Sequence, residues 1–315
     1  MSGPILLFGG TGMVGHNVRD LAERRDLEIV APGRGEVDLL DAAAVAATVG
    51  SVAPSIVIHA AGRVGGIAAN MRAPVAFLNE NWEMGRNILM AAREAGVSRL
   101  INLGSSCMYP KDAPHVLRED DILTGQLEPT NEAYAIAKIA VQRLAAYIGA
   151  EDPRFQYKTL IPCNLYGRYD AFDPSRSHLA AAAIEKLHLA KMTGAETVDI
   201  WGDGTVRREF LFAGDLADAI LMAVEKFETL PAVTNIGAGT DHTVNDYYAA
   251  AAAAVGYTGG FRHDLTKPVG MRQKLMDVTR AAAWGWRART PLADGLAETY
   301  AYYLKARGEP ASAAR

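Results

Sequence analysis

Short apolar runs alternate with stretches of helical period through the first half of the chain. Residues 4–8 predict a buried strand, 12–23 a helix and 27–30 a second strand. Residues 56–59, 100–103 and 157–161 predict further strands, with helices at 79–95 and 132–147. Strands without polar alternation, each followed by a helix, imply an α/β fold with a doubly wound parallel sheet covered on both faces. Beyond about residue 167 the pattern loosens. Loops at 168–178 and 201–212 lead into short helices and strands, which predict a smaller C-terminal α/β lobe. The alanine run 249–254 has high helix propensity and predicts a packed helix. The expected organisation is residues 1–167 as the sheet domain, joined by a later strand from around 205–240. Residues 168–307 form mainly the second lobe, and 308–315 a frayed tail.

Composition narrows the class. Half of the 315 residues are hydrophobic and 22% are charged, which is ordinary for a globular protein. A formal charge of −4 with scattered basic residues argues against nucleic acid, which calls for a basic stripe. No segment reaches the roughly 20 apolar residues of a membrane span, and no basic-then-apolar leader opens the chain. With two cysteines, Cys107 and Cys163, no disulfide framework is implied, so a cytoplasmic location is expected. No metal is expected.

Two segments bear chemistry. Gly9-Gly10-Thr11-Gly12-Met13-Val14-Gly15 lies between the first strand and the first helix, where glycines let backbone approach a pyrophosphate at a helix N-terminus. This predicts a Rossmann-like dinucleotide site at Gly9, Gly12, Met13, Val14 and Gly15. After the second strand stands A-P-G-R-G, with Arg34 where a carboxylate would repel a 2′-phosphate; this favours NADP(H), with Asp38 and Leu39 bordering the adenine. The second segment runs from N-L-G-S-S-C-M-Y-P to T-N-E-A-Y-A-I-A-K. Tyr134 and Lys138, four apart on a helix, share one face. The Lys138 ammonium is expected to ease ionisation of the Tyr134 phenol. Strand periodicity would aim Ser105 and Cys107 the same way. Hydroxyl, thiol, phenol and amine together suit chemistry at a ketone and the carbon beside it.

The glycine loop with Ser105, Tyr134 and Lys138 resembles the extended short-chain dehydrogenase/reductases. Six further segments make the chain resemble the GDP-L-fucose synthase family over nearly its whole length. They are A-A-G-R-V-G-G-I (60–67), L-G-S-S-C-M-Y-P-K (103–111), L-E-P-T-N-E-A-Y-A-I-A-K-I-A (127–140), N-L-Y-G (164–167), D-P-S-R-S-H (173–178) and W-G-D-G-T-V-R-R-E-F-L (201–211). The resemblance implies 3,5-epimerisation and then NADPH-dependent 4-keto reduction of GDP-4-keto-6-deoxy-D-mannose. It also implies Cys107 as base, His178 as acid, Ser105 and Tyr134 at the ketone oxygen, and Lys138 on the nicotinamide ribose. It places Leu103, Pro162, Asn164 and His178 at the cofactor, and Asn164, Lys186, Trp201 and Arg208 at the GDP-sugar, in a homodimer. The remaining histidines, 16, 59, 115, 188, 242 and 263, are expected to be structural or exposed.

The chain departs from the family pattern at Thr11, Gly62-Arg63, Arg168, Lys186, Phe212, Val269, Arg272 and Gln273, and these departures fall on the sugar-nucleotide rim rather than on the chemical residues. The rival readings are a paralogue acting on another GDP-4-keto-deoxy sugar, such as a heptose or dideoxyhexose, and a non-catalytic NADP(H)-binding sensor.

Overall fold

The computed structural model describes residues 3–113, 116–173, 177–267 and 272–309. In chain order its first half comprises β1 (Ile5–Phe8), α1 (Met13–Arg24), β2 (Ile29–Val30), α2 (Ala42–Val52), β3 (Ile56–His59), α3 (Ile67–Arg72), α4 (Pro74–Glu94), β4 (Arg99–Leu103), α5 (Glu132–Glu151) and β5 (Gln156–Pro162). The second half continues with β6 (Asn164–Tyr166), α6 (Leu179–Thr193), β7 (Thr197–Trp201), β8 (Arg207–Arg208), β9 (Phe210–Phe212) and α7 (Ala213–Glu225). It ends with β10 (Val233–Ile236), β11 (His242–Thr243), α8 (Val244–Val255), β12 (Gly260–Asp264), α9 (Thr279–Trp284) and α10 (Leu292–Ala306).

Six strands make one sheet in the order β10, β5, β4, β3, β1, β2, and every pairing in it is parallel. Side chains alternate across it. Ile5 and Leu7 join Val18 and Ala22 of α1 and Leu216 and Ile220 of α7 in one core. Leu6 and Phe8 join Val45 and Val49 of α2, Ile88 of α4 and Val141 of α5 in another. Burial on both faces is why these strands read as unbroken apolar runs. The expected doubly wound sheet is present. The chain leaves β1 for β2 on one side and returns to β3 on the other, so a topological switch point opens beside the β1 exit, where open α/β sheets bind ligands.

Some local expectations are corrected. The helix expected from residue 79 begins at Pro74, which stands at the first helical position, where its fixed φ favours entry. Helix α2 was not foreseen; Asp41 starts it by accepting hydrogen bonds from Ala43 N at 2.9 Å and Ala44 N at 3.2 Å. The C-terminal helices are not all short, since α6 and α10 each run 15 residues. With α8, which carries the alanine run, they enclose a separate core of Ile184, Leu187, Tyr247, Ala251, Leu296 and Tyr303. Of the expected tail, Glu309 docks its N–H on Leu304 O at 2.9 Å and its carboxylate 3.3 Å from His188. Residues 310–315 lie outside the described residues, as do His115, the P-S-R of 174–176 and Val269.

Candidate active site

The loops at the carboxyl ends of the parallel strands β1, β3, β4 and β5 lie at one end of the sheet. Gly9 has φ +92°, and a Cβ there would lie 2.5 Å from Ala61 N; one at Gly15 would lie 2.1 Å from Gly9 O. The β1 turn, the β3 exit and α1 therefore meet backbone to backbone, and only glycine fits. Gly12 caps α1 with no side-chain hydrogen bond and no acid in the first turn, which contains Met13 and Val14. The first N–H groups of α1 are thus open to an anionic phosphate, and this turn fits a dinucleotide. Arg34 and Asp38 are exposed after β2 and Leu39 is half-buried. The Asp38 carboxylate accepts from Leu40 N at 3.0 Å, and the Leu39 carbonyl accepts from Asn87 Nδ2 at 3.0 Å. The loop also carries an acid, Glu36, which accepts from Gly33 N at 2.6 Å.

The chemical residues gather at the β4 exit. Strand β4 ends at Leu103, and Ser106–Met108 forms a 3-10 turn, so Ser105 and Cys107 do not share a strand face as expected. Instead the Ser105 hydroxyl accepts from Cys107 N at 3.2 Å and caps the turn. The Tyr134 phenol hydrogen-bonds Ser105 and feels the charge of Cys107. Asn131, just before α5, donates its amide to Cys107 Sγ at 3.2 Å. One turn beyond Tyr134, the buried Lys138 amine donates to the Leu103 carbonyl at 2.9 Å and lies 5.9 Å from the Tyr134 ring centre. Ser105, Cys107, Asn131 and Tyr134 are only half-buried, so their outer faces are open.

The electrostatics differ from the sequence argument. Burial pushes the Tyr134 phenol well above its ordinary pKa; the Cys107 charge adds to this, and the Ser105 hydrogen bond opposes it. Lys138 does not ease its ionisation: the amine is turned to Leu103, and burial brings its own pKa down to about 8. At neutral pH Tyr134 is a protonated donor. His59, at the end of β3, is held neutral first by burial and then by the charge of Lys138, and its Nδ1 has no partner. Beside β5, Pro162 is buried, and Asn164 donates its amide to Glu209 O at 3.0 Å, tying β6 to β9. His178, immediately before α6, is exposed, and desolvation by the protein around it lowers its pKa. No hydrogen bond joins it to the Ser105–Tyr134 group among the described residues.

The family model described as the NAD dependent epimerase/dehydratase family matches residues 5–237, spanning the glycine turn, the Ser105–Lys138 group and β10. The chain belongs to this family. It is 49% identical over 300 residues to the GDP-L-colitose synthase of Yersinia pseudotuberculosis, covering 95% of this chain and 97% of that one. It is 48% identical over 300 residues to the GDP-L-fucose synthase of Azorhizobium caulinodans, covering 95% and 96%. In structure it resembles the GDP-mannoheptose C4 reductase of Campylobacter jejuni, solved with NADP bound, with TM-score 0.87 and 27% identity, covering 96% of this chain and 98% of that one. The motif resemblance to GDP-L-fucose synthases therefore holds along nearly the whole chain.

As a member of the NAD dependent epimerase/dehydratase family, the chain carries its remaining candidates on the C-terminal lobe. Trp201 ends β7 with 54% of its surface exposed, and the amines of Lys186 and Lys267 each lie 5.6 Å from its ring. Lys267 was not foreseen, because nothing in its local sequence signals proximity to β7; the parallel pairing of β12 with β7 brings it there. Arg208 is half-buried on β8, with Nη1 on Arg207 O at 2.8 Å, and burial lowers its pKa. The Ser105–Tyr134 group and the Trp201 group are two separate sets of contacts among the described residues.

Proposed function

We propose that this protein is an NADPH-dependent GDP-L-fucose synthase, epimerising GDP-4-keto-6-deoxy-D-mannose at C3 and C5 and reducing it at C4. The observation that carries this reading is that the Cys107 thiol stands with Ser105, 3.2 Å from Cys107 N to the Ser105 hydroxyl, beside the same phenol that would serve a ketone. A reductase alone needs the phenol; a thiol beside it suits proton removal next to the carbonyl. The cofactor would be held by the glycine turn, Arg34, Lys138 and Asn164, and when bound it supplies the hydride for C4.

Cys107, as thiolate, takes a proton from the carbon beside the ketone and becomes a thiol. The C–H electron pair forms an enolate whose charge rests on the C4 oxygen, where Tyr134 and Ser105 donate hydrogen bonds. His178 returns a proton to the opposite face, restoring the ketone with that carbon inverted. C3 and C5 flank the same carbonyl, so one set of groups serves both. In the reduction Tyr134, protonated at neutral pH, gives its phenolic proton to the C4 oxygen as the alkoxide forms there. Lys186, Trp201 and Arg208 would hold the GDP portion, with Arg208 facing the diphosphate.

Incubating the substrate in heavy water without NADPH is expected to place deuterium at C3 and C5, and Cys107→Ala is expected to stop it. Normal C4 reduction with no deuterium at either carbon would mean a plain 4-reductase. A second reading is favoured by the 49% identity to a GDP-L-colitose synthase, whose named product carries a dideoxyhexose. Faster turnover of the 3-deoxy ketone, with exchange at C5, would select it. A homodimer is supported by exposed apolar side chains on the packed pair α4 and α5, namely Val75, Ile136 and Tyr147. A cytoplasmic setting is supported by the need to keep the free Cys107 thiol reduced. No helix among the described residues is long and apolar enough to cross a membrane.

A further inference from the structure

Asn131 stands at the N-cap of α5, a position where an asparagine side chain ordinarily accepts from the helix's first N–H groups. Here it makes no such bond. Its Nδ2 is turned to the Cys107 sulfur at 3.2 Å, and its Oδ1 is shielded from solvent without a partner. The side chain forgoes a cap and leaves a carbonyl unsatisfied, so its contact with the sulfur is the polar interaction that orients it. Its backbone is fixed independently, with Asn131 N on Glu128 O at 3.1 Å and Ala135 N on Asn131 O at 3.1 Å. Ser105 in turn accepts from Cys107 N and bonds to Tyr134.

We propose that Asn131 is the positioning residue of the Cys107 thiolate: its amide holds the sulfur beside the Tyr134 phenol and stabilises the anionic form. An N–H donor aimed at sulfur favours the thiolate over the thiol, as hydrogen bonds to a charged form do generally. The ionisable groups in the first two turns of the adjoining helix are Glu132, which is exposed, Tyr134, which hydrogen-bonds Ser105, and Lys138, whose amine is committed to the Leu103 carbonyl. None of them replaces the amide donor. The inference rests on the reading of Cys107 as base only for its consequence in catalysis; the contact with the sulfur is independent of it.

The test is the pH profile of iodoacetamide alkylation of Cys107 in the folded full chain, in the parent, Asn131→Ala and Asn131→Asp. Cys163 is 6% exposed and contributes little, and Cys107→Ala supplies the background. Asn131→Ala is expected to move the midpoint of the profile up by about one pH unit, slowing alkylation near neutrality about tenfold. A change in access alone would alter the plateau rate and leave the midpoint in place. Asn131→Asp keeps size and capping ability while setting an anion against the sulfur, and is expected to move the midpoint further. It also carries the test if the alanine variant fails to fold. A parent-like midpoint in either folded variant overturns the proposal. Deuterium wash-in at C5 is measured on the same proteins and should slow by a similar factor. A shifted midpoint with unchanged wash-in upholds the role of Asn131 at the sulfur and removes Cys107 as the base.

Discussion

Lys138 is a residue whose burial should weaken the fold, and replacing it isolates that cost. The residue is 5% exposed, and burial lowers its pKa from 10.5 to about 8. The unfolded chain therefore binds more protons than the folded one between those values, and stability rises with pH across that window. The contribution is smallest below the folded pKa, where both states carry the proton and the folded state buries a charge. From about pH 7 to about pH 10 the shift predicts a gain of about 2.5 kcal/mol. Lys138→Met keeps the apolar stem and cannot titrate. Urea unfolding of parent and variant at both pH values cancels every other titrating group. The stability of the variant relative to the parent is expected to fall by about 2 to 3 kcal/mol as pH rises. The window lies above the range in which His59, the neighbour coupled to Lys138, would take up a proton. A difference that does not change with pH would refute the claim that the amine is buried at a cost. The same variant should lose activity, which separates what the residue does for the fold from what it does in the site.

Two further outcomes are expected. Tyr134→Phe should lower ketone reduction by about 10²- to 10⁴-fold while leaving NADPH affinity nearly unchanged, since only the proton-donating hydroxyl is removed; steady-state kinetics with a cofactor titration checks both, and near-parent turnover would dismiss the role. NADPH should bind more tightly than NADH, and Arg34→Ala should narrow the gap. The preference should be modest because the Glu36 carboxylate, 2.6 Å from Gly33 N, lies in the same loop; equal affinities in the parent would count against Arg34.

The sheet was legible because its strands are buried on both faces. Residues 56–59, for example, could hardly be anything but a central strand, and all four are buried in β3. Helix α2 was missed because its signal is a cap, Asp41, ahead of an alanine-valine stretch with little amphipathic contrast. The helix-spaced pair Tyr134 and Lys138 was legible from spacing alone. Their charge relation was not, because it depends on where the Lys138 amine turns, and a carbonyl 35 residues away claims it. Asn131 has the residue type of a helix cap, and only its direction toward the sulfur says otherwise.

The departures from the family pattern look alike in sequence, but the fold sorts them. Phe212 is buried, its ring 5.7 Å from Tyr166, so it belongs to the core of the C-terminal lobe. Arg168 lies 3.2 Å from Asp20 of α1 and 3.1 Å from Glu298 of α10, clasping two helices. Gln273 donates to Asp241 at 2.6 Å, and the Arg272 carbonyl accepts from Arg207 N at 2.9 Å. Arg63 pairs with Glu80 at 2.6 Å. Each of these is engaged in holding the scaffold. Lys186 differs, because its amine lies over the exposed ring of Trp201. An arginine there would offer a planar fork to a diphosphate, whereas lysine offers a point charge. On the proposed reading, the described departure most directly placed to alter recognition of the sugar nucleotide is therefore this one, on a lobe separate from the end of the sheet that carries the thiol and the phenol.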